Sequence, residues 1–335
     1  MAFAQILGQE NAIAVLQNAI RHHRIPHAYL FAGDEGVGKK LTAVMFAKAL
    51  NCRECEDDSC DRCVSCHKID AGNHPDVRII APEGQFIKID QIRTLQKDVG
   101  YKPYEGKRKV YILDHAETLR PEAANALLKT LEEPSADSLI ILVTANVYAL
   151  LPTVISRCQL VRFISFGVQK LTALLVQEHH LPPEQAHLIA SLSEGSPGRA
   201  YAMDTTETLA KREFVEQLLK TLSSGLRDVR ILFTYAEQLV EKKTEIQEFL
   251  DILLVWYRDM SILQAQGDPS LIANSDVIDR LKQAAAQLSV SQTRRLFDLV
   301  YQTKLDLLRN ANLQLTLEVM LISLTEVYND RIRWR

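Results

Sequence analysis

No apolar run in this chain of 335 residues reaches the length that a bilayer-spanning helix needs. The first residues, MAFAQILGQENAIAVLQ, have no basic stretch ahead of an apolar core, so no secretory signal is expected and a cytoplasmic location is. Excess basic charge is missing too. A formal net charge of −3 argues against a protein that grips nucleic acid by bulk charge, although a local basic patch inside an assembly is compatible with it. Internal repeats and low-complexity tracts are absent. Cysteine is scarce outside one stretch, since five of the six lie between Cys52 and Cys66. In a cytosolic chain such clustering points to metal rather than to disulfides.

What is present describes a globular protein of two or three domains, with 47% hydrophobic and 24% charged residues. Up to about Phe163, helical patterns alternate with the short apolar runs AYLFAG, DVRII, KVYILD, SLIILVTA and QLVRF. Runs of Val, Ile and Leu without polar alternation suit strands buried on both faces of a parallel sheet, with helices as crossovers, so the first part is expected to be an α/β nucleotide-type domain. After Phe166 the periodicity is helical throughout. The turn-rich GSPGR, Gly195 to Arg199, sits inside a small helical segment, 166–205, of a length that rarely folds unsupported. From 206 to 335 the stretches KREFVEQLLKTL, EIQEFLDILLVWYRDM, SQTRRLFDLVYQTKLDLL and QLTLEVMLISLTEVY read as a helical bundle.

GDEGVGKK, Gly33 to Lys40, lies between the strand-like AYLFAG and the helix-like LTAVMFAKAL. A glycine-rich turn in that position lets backbone N–H groups and the helix N-terminus face phosphate oxygens. Gly33, Gly36, Gly38 and Lys39 are therefore expected to form a phosphate-binding loop, with Lys39 reaching the outer phosphates. One letter departs from the pattern. After the lysine such a loop carries Ser or Thr, whose hydroxyl is a magnesium ligand, and here it carries Lys40. The partner strand KVYILDHAE supplies Asp114 for the magnesium but His115 where a water-orienting Glu belongs, and Glu117 falls past the strand end. With two parts missing, hydrolysis is expected to be slow or absent. Binding of ATP or ADP by the loop stays open.

CRECEDDSCDRCVSC places Cys52, Cys60, Cys63 and Cys66 in the spacing C-x7-C-x2-C-x2-C, with Cys55 and His67 as spare candidates. Four thiolates close a tetrahedral zinc site and leave no open position for catalysis, so a structural zinc is expected to staple an insertion at 52–66. That insertion has few aromatics and more acidic than basic side chains, which disfavours a nucleic-acid-binding module. Finally, ISRC puts Arg157 in a turn just before QLVRF. An arginine there is ordinarily a surface charge, but its fixed fork also suits a transition-state contact supplied in trans.

Together GDEGVGK, the four-cysteine insertion, GNHPD, KVYILD, NALLKTLEEP, VTAN, LLPTVISRC and GSPGRA resemble the AAA+ clamp-loader family of the bacterial DNA polymerase III holoenzyme, over essentially the whole chain. GNHPDV, FLDILLVWYRDM and NANLQLTLEVML resemble its non-hydrolysing stator more than its ATP-hydrolysing tau/gamma subunits. The resemblance implies an AAA+ domain at 1–165 with the zinc insertion, a helical lid at 166–205 and a helical collar at 206–335. It implies a hetero-pentameric ring with tau/gamma and delta subunits that loads a sliding clamp onto primed DNA. Arg157 then corresponds to the arginine finger aimed at a neighbouring tau/gamma site. Thr144 and Asn146 of VTAN correspond to the segment that senses the γ-phosphate, and Arg199 to the lid arginine. The alternative within the same assembly is a motor subunit in which Glu117 or a water chain replaces the missing Glu.

Overall fold

The computed structural model describes residues 2–224 and 229–329. It separates into two compact units, Met1–Gly167 with Ser196–Arg199, and Val168–Gly195 with Ala200–Arg335.

The first unit contains the helices α1 (Glu10–Arg21), α2 (Lys39–Asn51), α3 (Val64–Asp70), α4 (Ile89–Val99), α5 (Pro121–Glu132) and α6 (Pro152–Ile155). Its strands are β1 (Ala28–Ala32), β2 (Val77–Ile80), β3 (Lys109–Leu113), β4 (Ser138–Thr144) and β5 (Gln159–Arg162). They form one parallel sheet in the order β2-β3-β4-β1-β5, with Ala28 opposite Ile140 and Tyr29 opposite Gln159. Every residue of β1, β3 and β4 is buried, as the unbroken apolar runs require. At β2 and β5 the expectation of burial on both faces fails, because these strands form the two edges of the sheet and several of their side chains reach solvent.

Successive side chains of a strand leave opposite faces, and each face has its own core. On one, Tyr29, Phe31, Ile112, Ile141 and Val143 pack with Leu16 and Ile20 of α1 and Phe46 and Leu50 of α2. On the other, Leu30, Tyr111 and Leu142 pack with Ile92 and Leu95 of α4 and Leu127 and Leu131 of α5. The parallel direction brings the carboxyl ends of β1, β3 and β4 to one edge of the sheet. Gly33, Asp114 and the residues after Thr144 follow those ends directly. This is where open parallel sheets hold their ligands.

The remaining helices are α7 (Val168–His179), α8 (Pro183–Leu192), α9 (Pro197–Ala202), α10 (Thr205–Ser223), α11 (Val229–Glu241), α12 (Ile246–Gln264), α13 (Ile278–Ala286), α14 (Val290–Leu308) and α15 (Leu313–Asn329). Leu188 and Leu192 of α8 enter the same apolar core as Val215 and Leu218 of α10, Phe249 and Trp256 of α12, Leu296 of α14 and Leu321 of α15. The short helical segment thus draws its core from the bundle. Caps set the helix starts: the Asp204 side chain accepts from Glu207 N, and Ser289 and Gln292 form a reciprocal capping box.

Candidate phosphate loop, metal centre and arginine

Gly36 (φ 75°) and Gly38 (φ 92°) take left-handed conformations that turn the loop from β1 into α2. A Cβ on Gly36 would stand 2.4 Å from Ser196 Oγ and 2.8 Å from Arg199 N. The loop's carbonyls are taken. Gly33 O and Asp34 O accept from Lys39 Nζ, Glu35 O from Ser196 Oγ (2.8 Å), Gly36 O from Gly198 N (2.9 Å) and Gly38 O from Thr42. Among the described residues, no backbone N–H from Asp34 to Gly38 finds an acceptor in the protein. This polarity, carbonyls bonded and amides unspent, is that of an anion cradle. Lys39 is 7% exposed. Burial lowers its pKa, opposed by the charges of Glu117, Asp34, Glu35 and Asp114.

The magnesium position is filled differently. Lys40 Nζ lies 2.9 Å from Asp114 Oδ2, so the lysine that replaces the hydroxyl pairs with the carboxylate that should share a metal with it. His115 is in the left-handed region (φ 53°), its ring 3.3 Å from Glu117 Oε1. The other oxygen of Glu117 is buried without a hydrogen-bond partner. The donors present therefore suit a phosphate anion and do not suit a magnesium ion, which needs an oxygen where an ammonium stands.

Thr144 and Asn146 hold the turn after β4 together. The Thr144 hydroxyl exchanges hydrogen bonds with Asn146 N and O, both 3.1 Å, and Asn146 Oδ1 accepts from Tyr148 N. Arg199 lies beside the loop through Gly36. Arg157 bonds elsewhere. In the turn after α6 it meets Glu132 Oε1 of α5 at 2.7 Å and donates to Thr153 O at 2.9 Å, with about a third of its side chain exposed. Lys39, Lys40, Asp114 and Glu117 thus come together, whereas Arg157 is carried on a separate turn.

The sulfurs of Cys52, Cys60, Cys63 and Cys66 lie within 4.8 Å of one another, and neither Cys55 nor His67 joins the group. Backbone N–H groups of Cys55, Cys63 and Cys66 donate to the sulfurs of Cys52, Cys60 and Cys63, the kind of bond that favours thiolate over thiol. Burial pushes the Cys63 thiol up, yet the amides of Arg53 and Cys66 outweigh it and hold the group at about 6. Four converging sulfurs with amide support could hold a metal ion. Lys48 of α2, 3% exposed, meets Asp61 of the insertion and Asp70 at the end of α3, both at 2.8 Å.

Two family models cover most of the chain: "DNA polymerase III, delta subunit" matches residues 8–166, and its C-terminal counterpart matches residues 207–326. The delta-prime subunit of DNA polymerase III from Bacillus subtilis is 32% identical over 95% of this chain and 96% of its own length. The chain belongs to the DNA polymerase III delta-prime family. The delta-prime subunit of Pseudomonas aeruginosa is 30% identical over 88% of this chain and 90% of its own. The tau subunit of Bacillus subtilis is 28% identical over 89% of this chain, which spans 57% of that subunit.

In this delta-prime-family chain, sequence reasoning missed several contacts. Glu132, within NALLKTLEEP, is the carboxylate that meets Arg157. Ser196 and Gly198, within GSPGR, bond to Glu35 O and Gly36 O of the loop after β1. The Asp of GNHPD, Asp76, accepts from the amides of Tyr104, Glu105 and Gly106 at 2.7–2.8 Å, and Asn51 Oδ1 accepts from those of Lys107 and Arg108. Two buried acceptors so far from their donors in sequence leave no local signal.

Proposed function

We propose that this chain is the stator of a clamp loader. It completes a hetero-pentameric ring with tau/gamma and delta subunits in the cytoplasm, supplies Arg157 in trans to a neighbouring ATPase site, and helps load a sliding clamp onto primed DNA. The observation that carries this reading is the division of labour between two sites. Lys40 neutralises Asp114 where a magnesium ion would be needed for hydrolysis in this chain, while Arg157 stands on an exposed turn outside that loop. The chain then turns over ATP slowly or not at all, and its parts act as an AAA+ domain at 1–165, a lid at 166–205 and a collar at 206–335. The metal of the four-sulfur site is zinc, because a closed tetrahedron of four thiolates suits that ion and offers no open coordination position. Cys52, Cys60, Cys63 and Cys66 hold it, and it staples the insertion.

In a reconstituted complex, Arg157→Ala should lower DNA-stimulated ATP hydrolysis and clamp loading while leaving metal content and assembly unchanged. Arginines supplied in trans are worth on the order of a thousandfold at one site, although a ring with several sites dilutes the loss. Arg157→Lys should not restore the rate, because a point charge on a flexible stem does not reproduce the planar fork. The isolated chain, assayed alongside, should hydrolyse ATP only at background. Unchanged rates in the Arg157→Ala complex would return Arg157 to the role of a surface ion pair.

A further inference from the structure

We infer that the phosphate loop carries its own cation, the Lys40 ammonium, in place of a divalent metal, and that it takes a nucleoside polyphosphate as the metal-free anion. The inference deepens the reading of this loop and rests on its phosphate-binding origin. Three observations meet here. The ammonium of Lys40 is 2.9 Å from Asp114 Oδ2, so the carboxylate that would anchor magnesium is already neutralised. Asp114 is 7% exposed whereas the Lys40 side chain is about half exposed, so the ammonium stays within reach of solvent and of an anion at the helix start. The amides from Asp34 to Gly38 have no acceptor among the described residues, and Lys39 adds a second positive charge at the same helix start.

The electrostatics follow from that arrangement. A phosphate chain entering the cradle meets unspent N–H groups and two ammonium ions, enough to offset much of its charge without a dication. A magnesium ion riding on the nucleotide would approach Lys40, a like charge, and would find no hydroxyl to complete its oxygen shell. Magnesium should therefore hinder binding or leave it unchanged, the reverse of an ordinary phosphate loop.

Isothermal titration of the full chain with ADP, once in EDTA and once in excess magnesium, reads this directly, with inorganic triphosphate in EDTA as a second probe without the base and sugar. ADP and triphosphate should both bind in EDTA, and ADP should bind there at least as tightly as in magnesium. Lys39→Ala should abolish both. Lys40→Thr, which removes the charge and restores the hydroxyl, should weaken ADP binding in EDTA by about tenfold, the order expected for losing one charge contact in a partly hydrated site, and make magnesium strengthen it. Binding of ADP by the unmodified chain only with magnesium would overturn the inference, and so would the absence of binding in EDTA. Assembly with partner subunits, followed by gel filtration in the same buffers, tests the stator reading separately, because it does not depend on Lys40.

Discussion

At position 40, one substitution of residue type exchanges a neutral metal ligand for a charge, and the consequence reaches Asp114, just past the end of β3. The cysteines show the opposite pattern, in which one atom type recurs and only its placement distinguishes ligand from bystander. Cys60→Ser removes a sulfur from the group of four and should release the metal and lower the melting temperature, as read by metal analysis and thermal unfolding. Cys55→Ser should keep both, because what Cys55 gives the site is its backbone N–H to Cys52 Sγ, which serine supplies equally. Equal metal content in the Cys60→Ser protein would mean a different ligand set.

Among the elements, the connection between α4 and β3 is held by a distant side chain. Asp76 is 3% exposed and receives three amides of that connection, while a Cβ on Gly106 would stand 2.6 Å from Asn51 Oδ1. Burial raises the Asp76 pKa, but the three amides lower it more, and the net value lies below the ordinary 3.8. A depressed carboxylate contributes stability that is complete above the unfolded-state value and disappears as pH falls through the folded one. Asp76→Ala should cost on the order of 3 kcal/mol at neutral pH, as expected for charged acceptors left out of several amide bonds. Denaturant unfolding should show that cost shrinking as pH is lowered below about 4. A gap that stays constant into acid would show that the charge of Asp76 is not what holds the connection.

For the whole molecule, the question is which surface of the bundle meets neighbours in the proposed ring. Leu315 and Val319 of α15 are 60% and 55% exposed and lie one turn apart, so they share a face that nothing within the described residues covers. Leu315→Glu combined with Val319→Glu should leave thermal stability of the isolated chain nearly unchanged, since exposed substitutions usually stay within about 0.5 kcal/mol. Gel filtration with the partner subunits should show assembly weakened tenfold or more if this face is at the collar interface, because two carboxylates would have to be desolvated against it. Undiminished assembly would assign the stripe to the outside of the ring.

The sequence by itself determined the parallel sheet, the glycine turn from β1 into α2 and the helical bundle. Their signals are local: apolar runs without polar alternation at β1, β3 and β4, glycines at a strand-to-helix turn, and apolar residues at helical spacing. It also put four cysteines at metal-binding spacing, since a short insertion brings its own ligands together. Tertiary structure alone decided the rest. That Lys40 pairs with Asp114, that Glu132 holds Arg157, and that Asp76 gathers the amides of Tyr104, Glu105 and Gly106 are facts about groups on different elements. The physical reason is range. Periodicity and turn chemistry act within a few residues, whereas an ion pair or a buried acceptor is fixed only when strand order and crossovers carry distant segments to the same place.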